Sequence, residues 1–396
     1  MEYFATSISA GCLIVFAVLL FIVLRGRRAL LPALQNGGTS RRGDLPAVSV
    51  FIPVSSASPQ VEEALRTILH QDYPRYEIIF ITERNDGPDA AEIQKLLKEQ
   101  RSGKVSCRHV VSGPAVTCSQ KNHNLLAGVA AASPASAIFA FCDSTHPARP
   151  DWLRHLVAGL SKTDSCVATG YHLARPGDRR LATIGRSLTI LMMHFAQTIP
   201  FVTQPWGGNM AIGRKLFYEL DVPEIWSTSV VDDVTLAARL QKSGRAVRFV
   251  PEAFLATPLA DETYERWISW LSRQFLYIKY IFPLGWIGTG VVLLVSLLCL
   301  AGAWIVIASA AAGGLPVKFA VVPMLFLLII GVPFLLMRPF VSAKTVWPVW
   351  LVICLITFGV VVWSHFRTLF IGKISWAGRS YRVAVGGKVR GITLED

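Results

Sequence analysis

Charged residues are scarce in this sequence. Of its 396 residues, 16% are Asp, Glu, Lys or Arg and 52% are hydrophobic. Soluble domains carry about a quarter charged residues, so a chain lying wholly in water is excluded. Acids are the scarcer sign, 26 against 39 Lys and Arg, for a net charge of +13. A basic chain meets either nucleic acid or an anionic membrane surface. No nucleic-acid motif is present, and apolar runs account for the charge, so a membrane is the expected partner and nucleic acid is not. Paired cysteines are also missing. The seven, at positions 12, 107, 118, 142, 166, 299 and 354, show no disulfide or zinc spacing and suit a reducing compartment. Internal repeats and low-complexity tracts are absent, which excludes a solenoid.

What the sequence has in plenty is long apolar runs. The first, "SISAGCLIVFAVLLFIVL" at 7–24, is about long enough to cross a bilayer. Arg25, Arg27, Arg28, Arg41 and Arg42 follow it. The positive-inside rule then puts the N-terminus outside and the next domain in the cytoplasm. A cleaved signal peptide carries its charge ahead of the apolar run, so an anchor is expected. Three more runs lie near 284–309, 316–337 and 346–363, with the Gly and Pro that membrane helices tolerate. Arg338 and Lys344 suit a cytoplasmic loop. Parity places the C-terminal tail outside. Its basic residues (Arg367, Lys373, Arg379, Arg382, Lys388, Arg390) argue for inside, and a re-entrant or interfacial segment would reconcile the two. The short, Ala- and Val-rich spans suit a bacterial inner membrane.

Between the anchor and these runs, strand and helix patterns alternate. "AVSVFIPV" (47–54), "YEIIFIT" (76–82), "VSCRHVV" (105–111) and "AIFAFCD" (137–143) read as strands. "VEEALRTILHQ" places Val61, Leu65, Ile68 and Leu69 on one helical face, and "AAEIQKLLKEQ" and "KNHNLLAGVAAA" are helical too. This alternation predicts an α/β fold with a parallel, doubly wound sheet. Ligands of such sheets bind beyond the carboxyl ends of the strands. Glu83, Asp86 and Asp143 follow strands there, so a metal or nucleotide site is expected on that edge. The expected organisation is an anchor at 1–30, a linker at 31–46, a cytoplasmic domain with interfacial helices at 47–280, membrane helices at 281–366 and a basic tail at 367–396.

"VSVFIPVSS", "QDYPRYEIIFIT", "KNHNLLAG", "FCDS", "GGNMAIGRK" and "VDDVTLAARLQKSGRAVRFVP" occur in one order. As an ordered set, from about 48 to 280, they resemble the membrane-bound inverting glycosyltransferases of family two, and within them the family 21-like ceramide glucosyltransferase branch. The resemblance implies a GT-A, Rossmann-like nucleotide-sugar-binding domain beside transmembrane helices. It implies transfer of a hexose, from UDP-glucose, to a ceramide-like lipid hydroxyl, with inversion and with Mg²⁺ or Mn²⁺. The same chemistry on a hopanoid, diacylglycerol, carotenoid or polyprenyl phosphate stays open, as does a non-catalytic scaffold that keeps the fold.

The resemblance also carries roles onto residues. Pro53 and the acids after the second strand, Asp86 and Glu83, fall in the nucleotide-binding segments, with Gly87 where the branch carries Asp. Asp143 in "CDS" matches the metal-binding acid, and a hard cation there would take carboxylate and phosphate oxygens. Asp233, the second acid of "VVDD", matches the general base, with Asp232 orienting the site. The bland alternative is a pair of acids favoured by a helix dipole. Lys121 matches a lysine that neutralises phosphate. Gly207, Gly208 and Asn209 would let backbone approach the sugar. His194, in an apolar stretch at 182–202 that reads as an interfacial helix, falls where the branch also has a His. The chain departs at the basic-aromatic motif. "RQFLY" keeps Arg273 but puts Leu276 and Tyr277 where the family has Arg and Trp, so Arg273 and Tyr277 are the acceptor and diphosphate candidates. "ISWAGRSYRV" near the end resembles a tail pattern that either covers the site or anchors at the interface.

Overall fold

The computed structural model describes residues 1–35, 45–100, 105–160, 166–341 and 345–395. Most of the expected linker, with Arg41, Arg42 and also Lys344, lies outside the described residues. The first half alternates as its sequence predicts: α1 (Glu2–Gln35), β1 (Val48–Pro53), α2 (Pro59–Leu69), β2 (Tyr76–Thr82), α3 (Pro88–Glu99), β3 (Ser106–Val111), α4 (Gln120–Ala130) and β4 (Ile138–Cys142). Helix starts are written locally. Ser58 and Ser119 each cap a first turn by accepting the amide of the third residue on, Val61 and Asn122.

Then follow α5 (Trp152–Ala158), β5 (Cys166–Thr169), β6 (His172–Pro176), α6 (Leu181–Ala196), β7 (Asn209–Gly213), α7 (Arg214–Glu219), α8 (Val222–Trp226), α9 (Asp233–Lys242), β8 (Ala246–Phe249) and β9 (Leu255–Leu259). The main sheet has the order β3-β2-β1-β4-β7-β5-β8. It is mixed, not all parallel: β7 runs against both β4 and β5. The reason is its approach. The chain reaches β7 directly from the carboxyl edge, where β4 ends, and needs no crossover helix. Alternating side chains split the core into two layers. Val48, Val50 and Ile52 pack under α2 and α5, and Phe51, Phe139 and Phe141 under α4, α7 and α9. The short β6-β9 pair carries α6.

The membrane part comprises α10 (Tyr264–Ile281), α11 (Pro283–Ala311), α12 (Val321–Ile329), α13 (Gly331–Met337) and α14 (Trp347–Arg367). Four stretches are long and apolar enough to cross a bilayer: α1, α11, 317–340 and the α14 stretch. Their contacts show how they run. Ala5 packs with Val306 and Ala310, and Cys12 with Cys299, so α1 and α11 are antiparallel. The 317–340 stretch starts beside Ala5 at Ala320 and returns to Val23 and Leu30 at Met337 and Phe340. A break falls at Ile330, three residues before Pro333, whose ring removes a helical hydrogen bond.

The α14 helix runs differently. Its first turns pack on Val23, Leu30 and Met337 at the domain end of those helices. Its last turns also sit at that end: His365 stacks on Trp286 at 5.0 Å, and Trp286 Nε1 donates to Thr368 Oγ1 at 3.0 Å, just after α11 begins. Between these points it lies antiparallel to α6 and along α10. It therefore runs beneath the domain and does not cross the bundle. Val352, Leu355 and Trp363 make an exposed apolar stripe, while Thr357, Ser364 and His365 face inward, a division that an interfacial helix shares with a helix packed in a membrane bundle. By length and composition α14 is one of the four candidate spans; lying in the interface, it would leave two crossings among residues 281–366 where three are expected, and the tail would stand on the domain's side.

The tail folds into β10 (Ile374–Trp376), β11 (Arg379–Val383) and β12 (Val389–Leu394), one antiparallel sheet. It docks on the segment leading into α9. Val230 donates to the Gly387 carbonyl at 3.0 Å, and Val389 donates to that of Thr228 at 2.8 Å. Gly387, at φ +82°, could not carry a side chain: its Cβ would stand 2.9 Å from Ile281.

Candidate active site

Four charged side chains meet at the carboxyl edge of the sheet. Asp143 follows β4, Lys121 lies in the first turn of α4, Asp232 precedes α9 and Asp233 begins it. Lys121 Nζ stands 2.9 Å from Asp143 Oδ1 and 3.3 Å from Asp232 Oδ2. Burial works against the Lys121 charge, but Asp143, Asp232 and Asp233 outweigh it and hold the ammonium above the ordinary lysine range. Burial likewise opposes the Asp143 charge, and Lys121, with a smaller part from His146, still holds that carboxyl below its ordinary value.

Asp233 goes the other way. Burial, then the neighbouring Asp232, push its carboxyl up to about 7, with Lys121 and two amides pulling back. Those amides are Gly207 N–H, which donates to Oδ2 at 2.9 Å, and Val234 N–H, which donates to Oδ1 at 2.7 Å. The Gly207 amide can come this near because it has no side chain: a Cβ there would lie 1.9 Å from Asp232 Oδ2. At Gly208 a Cβ would lie 2.6 Å from Asp143 Oδ2 and from the Trp206 ring. A carboxylate with a raised proton affinity, beside a fixed cation and two glycines that open the backbone, can accept a proton from an incoming hydroxyl near neutral pH.

The other candidates fall around this centre. Pro53 ends β1, paired in register with Ile81 on the same edge. Glu83, after β2, is bound through both oxygens by Arg379 of the tail, each at 2.7 Å. Asp86 is 68% exposed and paired with Arg84 at 2.6 Å, so the structure ties the better-placed acid of this segment, Glu83, to the tail and leaves Asp86 at the surface. Asn209 is fully buried. Its Oδ1 accepts from Trp152 Nε1 at 2.9 Å, and its Nδ2 donates to the Ala253 and Tyr171 carbonyls. No amide atom is left for a ligand, so its part is to fix the strand start behind Gly208.

Tyr277 and Arg273 project from α10. Tyr277 packs with Val230 and Val231 just ahead of Asp232, and burial pushes its phenol up to about 12. Arg273 lies 5.8 Å over the Trp376 ring of the tail. His194 is fully buried on α6; its Nδ1–H donates to the His172 carbonyl at 3.2 Å. Burial pushes it down to about 4, so it is neutral, and its Nε2 has no partner among the described residues. Sequence reasoning missed the wall that joins it to the acids. Trp206 stacks on His172 at 4.3 Å and contacts His146 and Tyr171 at 5.2 and 5.3 Å. The signal was an aromatic directly before the two glycines in "PWGGN".

Among the described residues no three His, Cys, Asp or Glu side chains form a metal cage. The half-exposed Asp143 offers one hard carboxylate. This fits a divalent ion that takes its remaining ligands from a diphosphate and water.

The chain is similar in structure to the mannosyltransferase PcManGT from Pyrobaculum calidifontis in complex with GDP-Man and Mn²⁺, with a TM-score of 0.55 at 17% identity over 93% of this chain and 99% of that one. GalNAc-T7 with UDP, GalNAc and Mn²⁺ matches at a TM-score of 0.41 and 12% identity, over 60% of this chain and 48% of the other. The glycosyl transferase family 21 model matches residues 10–389. The chain is an integral membrane glycosyltransferase with a GT-A-type fold, and it belongs to glycosyl transferase family 21.

Proposed function

We propose that this protein transfers a hexose from a nucleotide sugar, UDP-glucose first, to the hydroxyl of a ceramide-like lipid, with inversion. The observation that carries the reading is the Lys121 bridge between Asp143 and Asp232, with Asp233 beside it and held by the Gly207 amide. Asp233 accepts the acceptor's hydroxyl proton, the acceptor oxygen forms its bond to the anomeric carbon, and the bond from that carbon to the diphosphate oxygen breaks. One carboxylate suffices for this single displacement, from the face opposite the leaving group. Lys121 keeps the three acids from repelling the nucleotide diphosphate. A divalent ion on Asp143 would neutralise charge on the leaving diphosphate. Pro53 and Glu83 border the nucleotide, Gly208 lets its sugar approach, and His194, Tyr277 and Arg273 line the way up from α6 and α10 for the lipid. The catalytic domain is read as cytoplasmic because Arg25, Arg27 and Arg28 sit at its end of α1, and the membrane as a bacterial inner membrane from the short, Ala- and Val-rich spans.

The test incubates purified protein with radiolabelled UDP-glucose, Mg²⁺ or Mn²⁺ and a lipid panel containing ceramide, diacylglycerol, a hopanoid, a carotenoid and polyprenyl phosphate. Wild type should label ceramide and Asp233→Asn should lose about a hundredfold or more, the usual share of a general base. Label on another lipid would replace the acceptor. Label from GDP-mannose and none from UDP-glucose would replace the donor. Equal activity in Asp233→Asn would sink the base.

A further inference from the structure

We propose that a pocket at the membrane end of the catalytic domain binds the phosphate head group of an anionic glycerophospholipid that is not a substrate. The pocket, about 830 Å³, lies between the end of α1 and the 197–203 segment. Arg25, Arg27 and Arg28 line it, and among the described residues no acid does. Arg25 donates to the Thr198 carbonyl at 2.7 Å. Arg27 donates to that of Leu336 and lies 5.5 Å over Phe340. Among the described residues the exposed Arg28 has neither a hydrogen bond nor an ion pair. Two arginines are thus positioned by the protein and a third is free, an arrangement that suits phosphate, whose oxygens accept the guanidinium fork.

The surroundings say which phosphate. Phe21 and Leu24, also lining the pocket, are 55% and 50% exposed on the membrane-spanning part of α1. Phe201, next in sequence to the lining Pro200, is 91% exposed. Apolar groups flanking a cluster of arginines match a lipid with its phosphate at the interface and its chains below. Free phosphate has no use for the apolar flank, and a neutral lipid hydroxyl has none for three arginines. The same segment runs on to Trp206 and to Gly207, whose amide holds Asp233. An occupant there would steady the loop that positions the base. The proposal does not depend on which sugar or acceptor the enzyme uses.

The full-length protein is taken from nanodiscs of phosphatidylcholine with phosphatidylglycerol, and retained lipid is weighed by native mass spectrometry. One phosphatidylglycerol per chain is expected. Arg28→Gln should weaken retention about fivefold, the factor that corresponds to about 1 kcal/mol per basic residue at a membrane surface, with Tm unchanged. Arg245→Gln, an exposed arginine outside the pocket, should change nothing. An equal loss in both variants would reduce the effect to general surface charge and overturn the site. Displacement of the lipid by inorganic phosphate but not by a short-chain phosphatidylglycerol would overturn the lipid as its occupant. Recovery of a glycosylated phospholipid after incubation with the donor would overturn the non-substrate role.

Discussion

Arg379 grips Glu83 across 296 positions of sequence, one guanidinium nitrogen standing 2.7 Å from both carboxylate oxygens. The pair is largely shielded from water, and it joins the last sheet of the chain to the segment after β2. With Tyr381, whose hydroxyl receives the Gln120 amide at 3.4 Å, it makes the tail a wall of the site.

If Glu83 borders the nucleotide, removing Arg379 leaves a half-buried carboxylate uncompensated next to a diphosphate. Arg379→Ala is therefore expected to weaken UDP binding about tenfold, the scale of a lost charge-assisted hydrogen bond. Glu83→Gln on that background should recover part of the loss, because the unpaired charge goes with it. Calorimetric titration of UDP into the two variants reads both effects. No change in Arg379→Ala would make the tail a structural prop only.

Among the described residues Lys121 is the cation shared by the three acids, and its removal should be felt at each. Lys121→Met is expected to cost about a hundredfold in kcat/KM, similar to losing a preorganised charge stabiliser. It should also move the acidic limb of the pH profile upward. Lys121 is among the groups that pull the Asp233 carboxyl down, so without it Asp233 holds its proton to higher pH. A limb that stays put would mean that another group titrates in catalysis.

Asp233 leaves a mark on stability that needs no substrate. In the unfolded chain its carboxyl ionises near 3.8, and in the fold only at about 7. Between those values the folded state holds a proton that the unfolded state has lost. Its contribution to stability is present below about pH 4 and is lost as pH rises towards about pH 7. Asp233→Asn has no such proton. The difference in Tm, wild type minus variant, should fall across that window. A constant difference would show that Asp233 is not held protonated.

Much of the fold, and the edge on which Asp143 and Lys121 lie, was legible in residues 47–143, and the reasons are local. Buried strands such as Tyr76–Thr82 are continuous apolar runs with polar borders, and a run that stops at Asp143 marks the carboxyl edge. The direction of β7 was not legible, because a short continuously buried run has the same pattern read either way. Nor was the partner of Glu83, since no local pattern links residues so far apart. The run at 346–363 showed lipid contact but not orientation. Thr357, Ser364 and His365 lie on the face turned to α6, α10 and α11, as polar groups of a crossing helix in a bundle also would; what bears on the orientation is that both ends of α14 sit at the domain end of α1 and α11.

The placement of those ends, with the tail's contacts, makes the sidedness of the chain testable. Val116 on the domain is 80% exposed and Val385 in the tail 78%. Gly313 follows α11 at the opposite end of the bundle, near Ala5 and Leu315. Three crossings place the first two on one side of the membrane and Gly313 on the other. Single cysteines at these positions, in a background lacking the half-exposed Cys107, should react with an impermeant maleimide accordingly. In sealed inverted vesicles Val116→Cys and Val385→Cys should label together, and Gly313→Cys only after the membrane is opened. If Val385→Cys labelled with Gly313→Cys instead, α14 would cross the bilayer, and the tail could not reach Glu83.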